Sequence, residues 1–235
     1  MAAEPTGDPV VIVAAHNEAD RIEATLEALA VAFPDAQIVV ADDASRDGTG
    51  ELALSRGAQV VSRRKPHGKG ANVTAAIETV LDRADEDDPP AFLLCDADLG
   101  RSARELPVLV EAVARGDCDL AVGAFRDRAG GGFGFALGFA RWAIERRCGY
   151  RVAAPISGQR AITAEALRAV VPFAKGYGME TGMTIDAIRA GFRLCEIELD
   201  LEHRVTGRSV RGFLHRARQL RDFWSAYASR RSRPR

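Results

Sequence analysis

The sequence predicts an α/β protein: a mostly parallel sheet flanked by helices, with a C-terminal amphipathic helix. Three observations carry this expectation. Short apolar runs at 10–14, 37–41, 58–61, 91–96 and 119–123 alternate with stretches of helical periodicity. Most of these runs end in acidic or glycine-rich residues rather than in hairpin turns. The 235 residues, 47% hydrophobic and 28% charged, suit a globular core without a Pro/Gly/Ser linker to divide it.

Val10 to Ala14 is a β-branched run, hence a buried first strand. His16-Asn17-Glu18-Ala19-Asp20 follows, and Asp20 is placed to cap a helix whose stripe is Ile22, Leu26, Leu29 and Phe33. Gln37 to Ala41 is a second strand, running into the polar loop Asp42-Asp43-Ala44-Ser45-Arg46-Asp47-Gly48-Thr49. A short helix then reaches Arg56, and Ala58 to Val61 is a third strand. His67-Gly68-Lys69-Gly70 opens a helix through Ile77, Val80 and Leu81, and the acidic run 82–88 is a solvated turn.

The run Ala91 to Asp96 is the central buried strand, and it ends in Asp96-Ala97-Asp98. A helix over Leu106, Leu109, Val110 and Val113 leads to the fifth strand, Asp119 to Gly123. Successive β-α units require right-handed crossovers. Beyond Phe125 the regularity breaks. Arg126 to Gly134 has the composition of a loop able to close over a site. Phe135–Arg147, Ala164–Val170 and Thr184–Ala190 read as helices, Ile156 to Arg160 as a turn, and Leu194 to Leu201 as a half-exposed strand. Phe213, Leu214, Leu220, Phe223, Trp224 and Tyr227 share one face of a last helix flanked by arginines. These readings divide the chain into 1–208, a main domain, and 209–235, a basic amphipathic helix and tail.

The net charge of -1 conceals an asymmetry: from Arg204 to Arg235 there are ten arginines and one acid, Asp222. Such a tail suits phosphates or an anionic membrane, and the same helix also fits packing on the domain or a homodimer contact. No aromatic and basic platform for nucleic acid appears elsewhere. Cys95, Cys118, Cys148 and Cys195 are scattered, which predicts separate buried thiols in a reducing, cytoplasmic setting. The N-terminus has no basic and apolar leader, and no run is long enough for a spanning helix.

In a parallel sheet the ends of successive strands share one edge, where ligands bind. That gathers Glu18, Asp42, Asp43, Asp96 and Asp98, which repel unless a cation or a ligand's donors sit among them. Each taken singly also fits a cap or an Asx turn. Gly68-Lys69-Gly70 offers backbone N–H groups and one ammonium to an anion. It is not a Walker A loop, because Arg63 and Gly70 occupy the positions of its first Gly and its Ser or Thr.

Taken together, Ala14-Ala-His-Asn-Glu18, Val40-Ala-Asp-Asp-Ala-Ser-Arg-Asp-Gly-Thr49, Gly68-Lys-Gly70 and Cys95-Asp-Ala-Asp98 resemble the family 2 glycosyltransferases of GT-A (Rossmann-like) fold. The resemblance implies a nucleotide-diphosphate sugar donor held by Ala14, His16, Glu18, Asp43, Lys69, Asp96 and Ala97. It also implies Mg²⁺ or Mn²⁺ at Asp98. Gly191 to Ser209 resembles polyprenyl-phosphate (dolichol-phosphate-type) sugar synthases, which implies Arg204, Arg208 and Ser209 as acceptor-phosphate groups. Ser157-Gly-Gln-Arg160 and Gly176-Tyr-Gly-Met-Glu180, with His203, resemble glucosyl-3-phosphoglycerate synthases, which implies His203 as a second metal ligand.

The expected activity is metal-dependent sugar transfer to an anionic acceptor: a lipid phosphate at the inner membrane face, or a soluble phosphoglycerate-like acid. Asp98, Glu180 and Arg204 are the candidate catalytic residues, with Glu180 as base if the nucleophile is a hydroxyl. A nucleotidyltransferase and a non-catalytic nucleotide-sugar binding module are the competing readings. The first lacks the expected Gly-rich, Arg-containing loop after the first strand.

Overall fold

The computed structural model describes residues 9–81, 91–125, 134–201 and 224–230. Among them one sheet holds β1 (Val10–Ala15), β2 (Gln37–Asp42), β3 (Gln59–Ser62), β4 (Phe92–Asp96), β5 (Leu120–Phe125), β6 (Arg160–Ile162) and β7 (Leu194–Leu199). Their order is β3-β2-β1-β4-β6-β5-β7. The helices are α1 (Ile22–Ala32), α2 (Thr49–Ser55), α3 (Lys69–Leu81), α4 (Pro107–Ala114), α5 (Gly134–Cys148), α6 (Ala164–Val170) and α7 (Met179–Arg189).

The unbroken apolar runs are explained by burial on both faces. Val11 and Val13 of β1 join one core with Ile22, Leu26 and Leu29 of α1 and Leu109 of α4. Val10 and Ile12 turn the other way, onto Val73, Ile77 and Val80 of α3 and Leu167 of α6. Period-2 alternation therefore feeds two layers, and each fully buried aliphatic side chain contributes about 1.5–3 kcal/mol.

The sheet departs from the expectation in one respect. β6, which begins at the last residue of what reads as a turn, inserts between β4 and β5 and runs antiparallel to both. A three-residue strand shows no readable alternation, so the central strand and the fifth are not neighbours as a simple crossover series implies. Smaller corrections concern ends. α1 begins at Ile22 with Arg21 at its N-cap position and no side-chain cap, so Asp20 does not play that part. α7 begins at Met179 rather than Thr184, which puts Glu180 in its first turn.

Cys118 and Cys195 are joined by a disulfide with Cα atoms 5.8 Å apart, against the expectation of four separate thiols. The pairing of β5 with β7 brings them together, and no local spacing announces it. Cys95 and Cys148 are free.

Of the expected C-terminal helix, the described part is 224–230. It is packed on the domain. Arg147 of α5 lies 3.8 Å over the Tyr227 ring and donates to its carbonyl at 2.8 Å. Arg230 is paired with Asp186 of α7. Trp142 and Trp224 nevertheless stay 45% and 56% exposed. No helix among the described residues is long and apolar enough to cross a membrane. The boundary between 208 and 209, and the loop 126–133, lie outside the described residues.

Candidate active site

Parallel register builds the site. Ala14 lies beside Asp96 and Ala15 beside Asp42, so three strand ends finish at one edge. The loops beyond β1 and β2 are stitched together. The Asn17 and Glu18 N–H groups donate to Ser45 Oγ at 2.8 Å and Thr49 Oγ1 at 2.9 Å, and the Ala19 N–H donates to Asp47. His16 donates from Nδ1 to the Asp43 carbonyl at 2.8 Å. Asn17 and Ala44 sit in the left-handed region, at φ 57° and 60°, where an alanine costs about 1–2 kcal/mol. The network around them makes good that cost.

The five acids divide. Asp42 accepts from Ser45 and from Ser62, so it shapes its loop rather than the site. Asp43 is buried, and its two carboxylate oxygens accept the His67 N–H at 2.7 Å and the Gly68 N–H at 2.9 Å. The Gly68 amide is thus committed to a protein carboxylate and not held open for a ligand anion. Asp96 receives Lys69 Nζ at 2.6 Å on Oδ1 and Gln159 Nε2 at 3.2 Å on Oδ2.

Lys69 also meets Glu180 Oε1 at 2.7 Å. Burial works against its charge, yet Asp96 and Glu180 together hold the ammonium above its ordinary range. Asp98 is half-buried, and burial followed by the Asp96 charge raises its carboxyl above the usual value. Arg21 donates to the Asp98 backbone carbonyl at 2.9 Å and offsets part of that.

Two glycines are needed by close approach. A Cβ on Gly158 would fall on the Asp96 carboxylate and lie 2.6 Å from Lys69 Nζ. One on Gly70 would strike the Ala174 carbonyl oxygen. Behind them Arg160 is fully buried, donating to the Ser157 carbonyl at 2.8 Å and Thr184 Oγ1 at 2.9 Å. Burial lowers its pKa to about 10 against the opposing charges of Glu180 and Glu196. It ties the segment carrying Gly158 and Gln159 to α7.

A pocket of about 110 Å³ opens at this edge, lined by Ala14, Ala15, His16, Ala41, Asp43, Lys69, Asn72, Val73 and Asp96. Five predicted donor residues are in its wall: Ala14, His16, Asp43, Lys69 and Asp96. Glu18 and Ala97 are not. Ala97 is buried, donating to the Ala14 carbonyl and accepting from Thr25 Oγ1. His203, Arg204, Arg208 and Ser209 lie outside the described residues. Among the described residues no three His, Cys, Asp or Glu side chains gather as a metal site. Asn72, Gln159 and Arg160 were not predicted from their chemistry. Asn72 did leave a signal, an amide at a core position of the α3 stripe with Val73, Ala76 and Ile77.

The model of the family described as Glycosyl transferase family 2 matches residues 10–167. An undecaprenyl-phosphate mannosyltransferase of Micrococcus luteus is 29% identical over 85% of this chain and 86% of its own. An uncharacterized glycosyltransferase of Mycobacterium tuberculosis is 30% identical over 93% of this chain and 97% of its own. Glucosyl-3-phosphoglycerate synthase from M. tuberculosis, solved with Mg²⁺ and uridine diphosphate, superposes with a TM-score of 0.77 at 26% identity. That match covers 100% of this chain and 83% of that one.

Proposed function

Since the chain belongs to glycosyl transferase family 2 and is a glycosyltransferase, we propose that it moves a sugar from a nucleotide diphosphate to a polyprenyl phosphate. The observation that carries the donor half is Lys69, fixed between Asp96 and Glu180 in the wall of a pocket that Asp43 also lines. An ammonium so placed balances charge growing on a leaving diphosphate.

The residues fit a divalent cation. Burial and the neighbouring Asp96 charge raise the Asp98 carboxyl above its ordinary value, and a hard cation beside it would offset both. Asp98, with His203 as the second ligand, would hold it. When bound, Mg²⁺ or Mn²⁺ supplies Lewis-acid neutralisation of the diphosphate oxygens. The neighbour solved with Mg²⁺ and uridine diphosphate supports this reading.

For the acceptor, the name of the M. luteus relative favours a polyprenyl phosphate, with Arg204, Arg208 and Ser209 holding its phosphate. A phosphate oxygen attacks without help from a strong base. Glu180 is then a partner of Lys69 first, and a base only for a hydroxyl acceptor. The arginine-rich tail, together with exposed Trp142 and Trp224, supports a reaction at an anionic membrane face. A soluble phosphorylated acid is the second reading, favoured by the phosphoglycerate named for the structural neighbour.

The test is nucleoside diphosphate release from a panel of UDP- and GDP-sugars with Mn²⁺. Polyprenyl phosphate and 3-phosphoglycerate are offered separately. Release only with the lipid phosphate is the expected result; release only with the acid moves the assignment to the second reading. Asp98→Ala is expected to lose about 10²–10³-fold in rate and the Mn²⁺ enhancement of donor binding. Unchanged Mn²⁺ enhancement removes Asp98 from the metal site.

A further inference from the structure

Asn72 is 1% exposed, and neither its Nδ2 nor its Oδ1 has a hydrogen-bond partner. It also lines the pocket at the sheet edge. An amide shut away from water with both ends unmatched is unfavourable and rarely kept in a core stripe. Structural need does not explain it, since Val73, Ala76, Ile77 and Val80 already seal α3 onto the sheet.

We infer that Asn72 is a base-reading residue, matching its donor and acceptor to the lactam edge of the donor's uracil or guanine. The inference rests on the nucleotide-sugar reading of this pocket and narrows it. A carboxamide presents one donor beside one acceptor. Uracil and guanine match it with a ring N–H beside a carbonyl, adenine and cytosine with an amino N–H beside a ring nitrogen, so the choice between them falls to the acceptor that stands next to it. Asp43, an acceptor in the same pocket, suits a ring N–H as well. A phosphate instead demands donors and positive charge, which Lys69 supplies one helical turn away. The walls formed by Ala14, Ala41 and Val73 are small and apolar, which suits a flat heterocycle.

The test measures binding of UDP, GDP, ADP and CDP, each with Mn²⁺, to the full chain and to Asn72→Leu, of similar volume. The wild type is expected to favour UDP or GDP. The variant is expected to bind that nucleotide roughly 10- to 100-fold more weakly, the worth of one paired donor–acceptor contact. Its losses for ADP and CDP are expected to be only a few-fold. Without ligand it is expected to melt at or above the wild-type temperature, because an unpaired buried amide has been removed. Equal losses for all four nucleotides, no loss, or an unliganded variant melting well below wild type overturns the inference and leaves the donor reading intact. No binding of any nucleotide by the wild type overturns both. Asn72→Ala repeats the binding series should the leucine variant not fold.

Discussion

Lys69→Met is expected to lower the transfer rate by about 10²–10³-fold and folding stability by about 3 kcal/mol. Both effects come from one geometry. The ammonium lies 2.6 Å from Asp96 and 2.7 Å from Glu180, and the Glu180 side chain is only 7% exposed. Removing the cation leaves Glu180 buried without its ion-pair partner, and that cost falls on the fold. The rate loss has a separate origin, since the same ammonium lines the pocket proposed to hold the leaving diphosphate. Single-turnover release and urea unfolding separate the two. Lys69→Met with Glu180→Gln is expected to recover most of the stability and none of the rate, because the pair is then removed together. A double variant as unstable as the single one sinks the account.

Gly70→Ala is expected to cost about 3 kcal/mol or more and to lower the melting temperature by roughly 10 °C. Here the obstacle is backbone. The new methyl would occupy the place of the Ala174 carbonyl oxygen, which has no side-chain freedom with which to give way. The loop carrying Ala174 would have to lift from α3, taking the start of α7 and Glu180 with it. Gly48→Ala is the control. Its φ of 92° makes alanine strained, but nothing lies within 4 Å, so about 1–2 kcal/mol is expected from the backbone alone. Thermal melts of the two variants check the comparison; equal losses remove the steric argument.

The sheet edge that carries the pocket was legible because its signals are local. Each strand run and the polar loop after it are contiguous in sequence, and parallel pairing does the rest: Asp43, Lys69 and Asp96 line one pocket, while Glu18, Asp42 and Asp98, expected at the same edge, do not. The resemblance carried the assignment beyond what spacing alone supports. What could not be read has distant causes. Glu180 reads as a helix-start acid, and only the packing of α7 against α3 shows that it grips Lys69. Arg160 reads as a turn arginine until β6 is seen to bury it. Cys118 and Cys195 are 77 residues apart, with no spacing to pair them. Asp42 and Asp43 look alike in sequence, and the hydrogen bonds to Ser45 and Ser62 tell them apart.

The threading of β6 bears on how the chain is made. When synthesis has reached Phe125, β5 exists, yet both strands that pair with it, β6 and β7, are still to come. β4 likewise has β1 on one side and an open edge on the other until Arg160 to Ile162 emerges. Exposed strand edges invite wrong partners, and closing them late slows folding. A fragment cut after the fifth strand is therefore expected to aggregate rather than to stand alone as a nucleotide-binding half.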